Sequence, residues 1–154
     1  VALNTGYLVS TVLDVQNKTF YTTDGDREVE MTPVILDTSA ACHMPDVLEM
    51  PYTPPLYGAQ IVADILKTQE APKDAHFVYR LSSYTCLAGD IIGDYEFDHE
   101  INVGDRLIFM DMAIYSMVKN NTFNGMPLPS ISVLKDGKLS LIKSFGYEDF
   151  KCRL

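Results

Sequence analysis

Cys86-Leu87-Ala88-Gly89-Asp90 sets a thiol and a carboxylate on either side of a Gly turn, and Gly93-Asp94-Tyr95 brings a second carboxylate four residues later. Val103-Gly104-Asp105 follows, then the apolar run Met112-Ala113-Ile114-Tyr115, then Phe123-Asn124-Gly125. An ordinary thiol, with a pKa near ~8.5, is protonated at neutral pH and can hand on a proton. Carboxylates pair with ammonium groups. Taken as isolated residues these have plainer uses: a free cysteine is usually a small buried hydrophobe, a Gly-Asp pair is a common turn device, and a tyrosine in an apolar run is a core residue. A second stretch, Cys42-His43-Met44-Pro45-Asp46 through Tyr52, places His43 and Asp46 on a long loop with one helical turn at its start, since Pro51, Pro54 and Pro55 prevent regular structure beyond Pro51. Long ordered loops on β scaffolds often carry binding residues, and a surface loop pinned by Met and Tyr is the alternative. Cys42, His43 and Asp46 imitate a metal site, but their spacing matches no standard ligand set, and no metal is expected.

The elements that must position these groups read mostly as strands. Segments 6–15, 19–22 and 32–37 are rich in Val, Leu, Ile, Tyr and Thr, with a turn at Asp24-Gly25-Asp26. Segments 57–66 and 76–83 are two further strand candidates on either side of the polar stretch 67–74. The apolar run 106–118 is the longest. Met and Ala leave a helix open there, and the turn at Val103-Gly104-Asp105 that feeds it favours a strand. Segments 131–134 and 139–142 flank Asp136-Gly137, the signature of a hairpin with a type I′ turn. Residues 147–154 read as a closing helix. Many short strands and few helices point to a barrel or sandwich, mainly β.

A chain of 154 residues fits one domain, 1–154, with no repeat or linker dividing it. It is 47% hydrophobic and 21% charged, with no low-complexity tract, so a folded core is expected. The formal net charge of −9 argues against nucleic acid, whose phosphates require clustered Lys and Arg, and suits a cationic small molecule. Three cysteines, an odd number without a CxxC pair, place the chain in a reducing, cytoplasmic setting. No apolar run approaches a membrane span and no signal peptide is visible. The chain opens on Val1 rather than Met, as a cut or processed product would.

The order of these motifs resembles the C-terminal domain of the fold-type III pyridoxal-phosphate decarboxylases, which act on ornithine, diaminopimelate and carboxynorspermidine. Residues 1–9 are similar to the segment after that family's Glu-Pro-Gly motif, and Leu36-Asp37-Thr38-Ser39, the 42–52 loop and Pro55-Leu56-Tyr57-Gly58-Ala59 follow in the family's order. The form of the 42–52 loop and of Cys-Leu-Ala-Gly-Asp is most similar to the carboxynorspermidine/carboxyspermidine branch. The resemblance covers essentially the whole chain, but only the C-terminal part of such an enzyme. It implies a β-barrel or sandwich domain with short helices, whose TIM-barrel domain is absent from this chain.

The resemblance also implies roles for particular residues. Cys86 matches the cysteine implicated as proton donor, and Tyr115 the tyrosine whose hydroxyl reaches the phosphate of pyridoxal 5'-phosphate. Asp90 matches a carboxylate near the dimer interface and active site, which makes it a substrate-binding candidate. Leu87 departs from the ornithine and diaminopimelate enzymes, which carry an acid there for the far end of their substrates. That leaves Asp46 first, then Asp94 and Asp37, then His43, as candidates for holding a polycationic substrate. Lys119 is not expected to hold the cofactor, because the family's lysine lies in the barrel domain. The implied partners are that N-terminal barrel and a second copy in a homodimer, with Cys86 serving the partner's barrel and Tyr115 its own. The implied reaction is decarboxylation of carboxynorspermidine or carboxyspermidine to norspermidine or spermidine plus CO2 in polyamine biosynthesis, with this chain alone inactive. The competing readings are a stand-alone β-barrel binding or dimerisation module without catalysis, and an enzyme like diaminopimelate decarboxylase.

Overall fold

Alternating Val, Leu, Ser and Thr make β1 (Tyr7–Val15) a strand that buries Ser10 and Val12 on one side. A computed structural model describes residues 6–18, 20–24, 27–50, 52–63 and 77–152. β3 (Arg27–Leu36) pairs antiparallel with β2 (Phe20–Asp24) through its first half. Its second half lies between β1, antiparallel, and β5 (Phe77–Ser83), parallel, with Thr32 opposite Tyr79 and Leu36 opposite Ser83. β6 (Ile91–Phe97) returns antiparallel along β5, and β4 (Ala59–Ile61) lies outside it. β7 (Arg106–Met110) pairs with β1, giving the order β4-β6-β5-β3-β1-β7.

The two edges of this sheet meet on one segment. Met110 N donates to Pro55 O at 2.8 Å and Tyr57 N to Ile108 O at 2.9 Å, and the same segment runs on into β4 on the opposite edge. The sheet therefore curls around a core that includes Val34, Leu36, Leu81, Ile92, Tyr95 and Phe109, each at most 1% exposed. Tyr95, buried among these, directs its hydroxyl out of the apolar layer to Pro54 O at 2.8 Å, which satisfies its one polar atom.

Short helices connect the strands: α1 (Ala40–His43), α2 (Pro45–Glu49), α3 (Tyr115–Val118) and a 3-10 turn at Phe123–Gly125. A separate hairpin, β8 (Ile131–Lys135) and β9 (Lys138–Lys143), turns through Asp136 (φ 52°) and Gly137 (φ 72°), both positive as a type I′ turn requires. The chain then enters α4 (Tyr147–Lys151), where Gly146 N donates to the Asp149 carboxylate at 2.8 Å.

Three sequence expectations are corrected here. The run 106–118 is not one strand: β7 stops at Met110, Asp111 adopts φ 61°, and Met112 N turns to Gly6 O at 3.0 Å. Tyr115 consequently sits in a helical turn rather than in a strand. The segment read as a strand from 57 to 66 is a strand only at Ala59–Ile61; Val62 and Ala63 are helical, and 64–66 lie outside the described residues, as do the polar stretch 67–74 and residues 25 and 26 of the expected turn. Where one helical turn is expected at the start of the 42–52 loop there are two short helices, α2 and α1, the latter beginning at Ala40. β6 is a strand that pattern reading missed. Gly93 interrupts it next to a bulge, and buried Glu96 stands between buried Tyr95 and Phe97, so no clean alternation marks it.

Candidate active site

α1 forms because Ser39 caps it. Its backbone is extended and its Oγ accepts from Cys42 N at 3.1 Å, the usual work of a serine before a helix. The same hydroxyl donates to Asp90 Oδ2 at 2.7 Å, while Ala41 N donates to Asp90 Oδ1 at 3.2 Å and Thr85 Oγ1 to Oδ2 at 2.5 Å. Asp90 is 3% exposed, and three donors compensate its buried charge. The loop 84–90 that carries Cys86 and Leu87 is thereby fastened to the start of α1. Cys86 and Leu87 are themselves exposed.

At the other end of α1, Asn121 Nδ2 donates to Ala41 O and Asn121 N to Cys42 O, both at 2.9 Å. Asn121 follows α3, on which Tyr115 stands about half exposed. Among the described residues, neither Cys86 Sγ nor Tyr115 Oη has a hydrogen-bond partner, so both donors are free to meet a ligand. α2 lies against α3 and Glu49 pairs with Lys119 Nζ, which puts Asp46 and Tyr115 on neighbouring elements and occupies the lysine. Cys42 is buried, with Sγ directed to Phe123 O at 3.6 Å, and burial pushes its thiol pKa up.

His43 is 1% exposed. Its Nδ1 faces Thr38 Oγ1 at 2.9 Å and Ser39 N at 3.2 Å, and its Nε2 lies 3.1 Å from Pro127 O. A carbonyl can only accept, so Nε2 carries the proton and Nδ1 accepts from Ser39 N: a neutral ring. Burial lowers its pKa, and the weaker pull of Pro127 O, Asp90 and Asp37 acts the other way. The unfolded chain takes up a proton below about pH 6.5 that the folded chain resists. The stability tied to His43 is therefore complete above about pH 6.5 and is lost as pH falls through that value toward the lowered folded pKa. Thermal melts between pH 7 and pH 5 are expected to show this slope, and His43→Gln, which keeps a donor and an acceptor without a titrating group, is expected to flatten it. An equal slope in the variant would assign the acid sensitivity to other groups.

The remaining carboxylates divide by partner. Asp94 is held by Arg80 through Nε at 2.7 Å and Nη2 at 2.8 Å. Asp37 is exposed, with Oδ1 accepting from Ser10 Oγ and Thr11 N, each at 2.7 Å, and no cation beside it among the described residues. Asp46 is half-buried and likewise has no cation beside it there. It lies near enough to Tyr52, whose hydroxyl donates to Asp111 Oδ2 at 3.4 Å, that burial, Asp111 and then Asp46 push the phenol up to about 12. A cleft of about 1110 Å³ opens between β1 and the β8–β9 hairpin, lined by Tyr7, Asp37, His43, Tyr57, Tyr84 and Leu134 among others. Asp37 and His43 meet there; Cys86, Tyr115, Asp46, Asp90 and Asp94 do not line it. Among the described residues no group of three or more His, Cys, Asp or Glu is gathered for a metal ion, and no helix is long and apolar enough to cross a membrane.

Sequence reading singled out neither Ser39 nor Asn121. Ser39 before Ala40-Ala41 is a legible cap signal, whereas nothing local marks Asn121, whose partner is 80 residues away. The assembly of these parts matches known proteins. Residues 1–113 fit the family model for the C-terminal sheet domain of pyridoxal-dependent decarboxylases. The chain belongs to that family. It is 44% identical over its whole length to carboxyaminopropylagmatine decarboxylase of Synechocystis sp., of which it covers 35%, and 39% identical over 99% of its length to carboxynorspermidine/carboxyspermidine decarboxylase of Campylobacter jejuni, of which it covers 38%. The crystal structure of carboxynorspermidine decarboxylase from C. jejuni, complexed with norspermidine, superposes with a TM-score of 0.81 at 37% identity, over 99% of this chain and 39% of that one. The chain thus spans little more than a third of the length of these relatives, and the mainly β architecture is that of the decarboxylase sheet domain.

Proposed function

We propose that this sheet domain works as part of a pyridoxal-phosphate-dependent decarboxylase that removes CO2 from carboxynorspermidine or carboxyspermidine in polyamine biosynthesis. One observation carries the reading: the likeness to polyamine-acid decarboxylases runs the full length of the chain, past residue 113 where the general family match ends and through Tyr115. A second substrate is favoured by the 44% identity to the Synechocystis enzyme, namely carboxyaminopropylagmatine, which replaces an ammonium end with a guanidinium. In both cases the substrate is a polycation bearing one carboxylate.

The donor set of the chain fits a role beside pyridoxal phosphate, which when bound takes up the electron pair left as CO2 departs. Tyr115 Oη, exposed and unpartnered among the described residues, would hold a phosphate oxygen. Cys86 Sγ, also exposed and unpartnered there, would deliver the proton that replaces CO2 on carbon. Asp46 and Asp37, with no cation beside them among the described residues, would take distal ammonium or guanidinium groups, Asp37 in the cleft that neutral His43 also lines and Asp46 outside it; Asp94 already holds Arg80, and buried Asp90 already holds three donors. The cofactor's lysine is assigned to the barrel domain, and a homodimer brings Cys86 to one barrel and Tyr115 to another.

The full-length protein is expected to release CO2 from one of the three carboxylated polyamines, and the ratio of kcat/KM among them names the substrate. This chain alone, given pyridoxal phosphate and then borohydride, is expected to fix no cofactor on lysine. Stoichiometric labelling of one lysine within these 154 residues would overturn the division of labour. Tyr115→Phe in the full-length protein is expected to raise the Kd for the cofactor by about 10- to 100-fold, the size of one hydrogen bond to a charged group. Titration of the apoprotein measures it.

A further inference from the structure

Two loops that approach each other nowhere in sequence are both fastened to one four-residue helix. Asp90, from the Cys86 loop, accepts from Ser39 Oγ at 2.7 Å and Ala41 N at 3.2 Å at the start of α1. Asn121, from the segment that carries Tyr115, donates to Ala41 O and Cys42 O, each at 2.9 Å, at its end. Asn121 Oδ1 also accepts from Phe123 N at 2.9 Å, so the side chain braces its own segment while it grips the helix. His43, on the last residue of α1, adds a third tie to Pro127 O. Ala41 is bound from both directions, N–H to Asp90 and C=O to Asn121. A helix this short has no stability of its own, so its place is set by the groups that bind its ends.

We infer that α1 is a common strut that sets the spacing between Cys86 and Tyr115, with Asp90 and Asn121 as its positioning residues. The assignment rests on the proposed roles of Cys86 and Tyr115 for its importance, but not for its test. If the strut couples the loops, loosening one end is felt at the other. Asn121→Ala removes the side-chain grip on Ala41 and leaves every residue of the 84–90 loop unchanged. Amide exchange in residues 84–90 of the full-length protein is expected to rise about fivefold in that variant, the size of opening that one lost helix cap permits. Peptide-resolved mass spectrometry reads the 84–90 loop separately from the rest of the chain. Asp90→Asn is expected to raise the same exchange, and the double variant to exchange no faster than the faster single one, because both open one element.

The reverse direction is read with Ser39→Ala, which removes the helix cap and its bond to Asp90 and leaves only the Ala41 N–H tie between Asp90 and α1. Amide exchange in residues 121–126 is then expected to rise about fivefold, and this arm decides the matter if Asn121→Ala does not fold. Unchanged exchange of 84–90 in a folded Asn121→Ala protein, or unchanged exchange of 121–126 in Ser39→Ala, would overturn the strut. Neither readout requires turnover. An inactive protein with coupled loops would fail the proposed function alone, and an active one with independent loops would fail the strut alone.

Discussion

Cys86→Ala in the full-length protein is expected to lower kcat by about 10²- to 10⁴-fold, the range for loss of a positioned proton donor. The melting temperature is expected to stay where it is. Cys86 is exposed on the 84–90 loop, and the loop is held by Asp90 rather than by the thiol, so its removal leaves no cavity and no orphaned partner. Cys86→Ser keeps the shape of the side chain, but an alkyl hydroxyl is a much weaker acid than a thiol, so serine is expected to recover little of the rate. Steady-state kinetics on wild-type and both variants, with cofactor occupancy checked by absorbance, provide the measurement. Wild-type kcat in the alanine variant would remove Cys86 from the chemistry and leave the loop as packing.

Phe109→Ala is the largest expected change in stability, a loss of about 3–5 kcal/mol. Phe109 is 0% exposed, meets Tyr95 edge to face with ring centroids 6.4 Å apart, and bridges to Leu56 where the two edges of the sheet come together. Truncation removes buried apolar surface at the one place where β7, β6 and the 55–61 segment converge, and the main-chain bonds on either side limit how far the cavity can collapse. Urea unfolding should show the midpoint fall with little change in slope. Leu134→Ala on the hairpin, 70% exposed, is the control and is expected to cost almost nothing. A loss below about 1 kcal/mol at Phe109 would mean that the closure of the sheet is held by its main-chain bonds instead.

Where chemistry depends on local pattern, reading the chain was enough. Asp136-Gly137 specifies its turn because both residues must adopt positive φ, which few other pairs tolerate, and the alternation around it specifies the ribbon. The Cys-Leu-Ala-Gly-Asp motif and its successors place the chain in the decarboxylase sheet family, because a loop built around small residues and a fixed acid leaves a recognisable spacing. The extent of the strands was less legible. The run 106–118 is apolar throughout, yet it breaks at Asp111, where a hydrogen bond from Met112 to Gly6, over a hundred residues away in the chain, bends it out of the sheet.

Composition, the mainly β class, the hairpin turn and the family motifs were therefore determined by the sequence alone, since each depends on residues close together along the chain. The tertiary structure decided which carboxylates are occupied and which are open. Asp90 and Asp94 look alike in the sequence, each following a glycine, but one caps a helix 49 residues away and the other binds an arginine on the neighbouring strand. Asp37 and Asp46 are left without a cation among the described residues by the same arrangement. A carboxylate's partner is set by where the sheet brings the chain back, and at separations of tens of residues no local pattern records it.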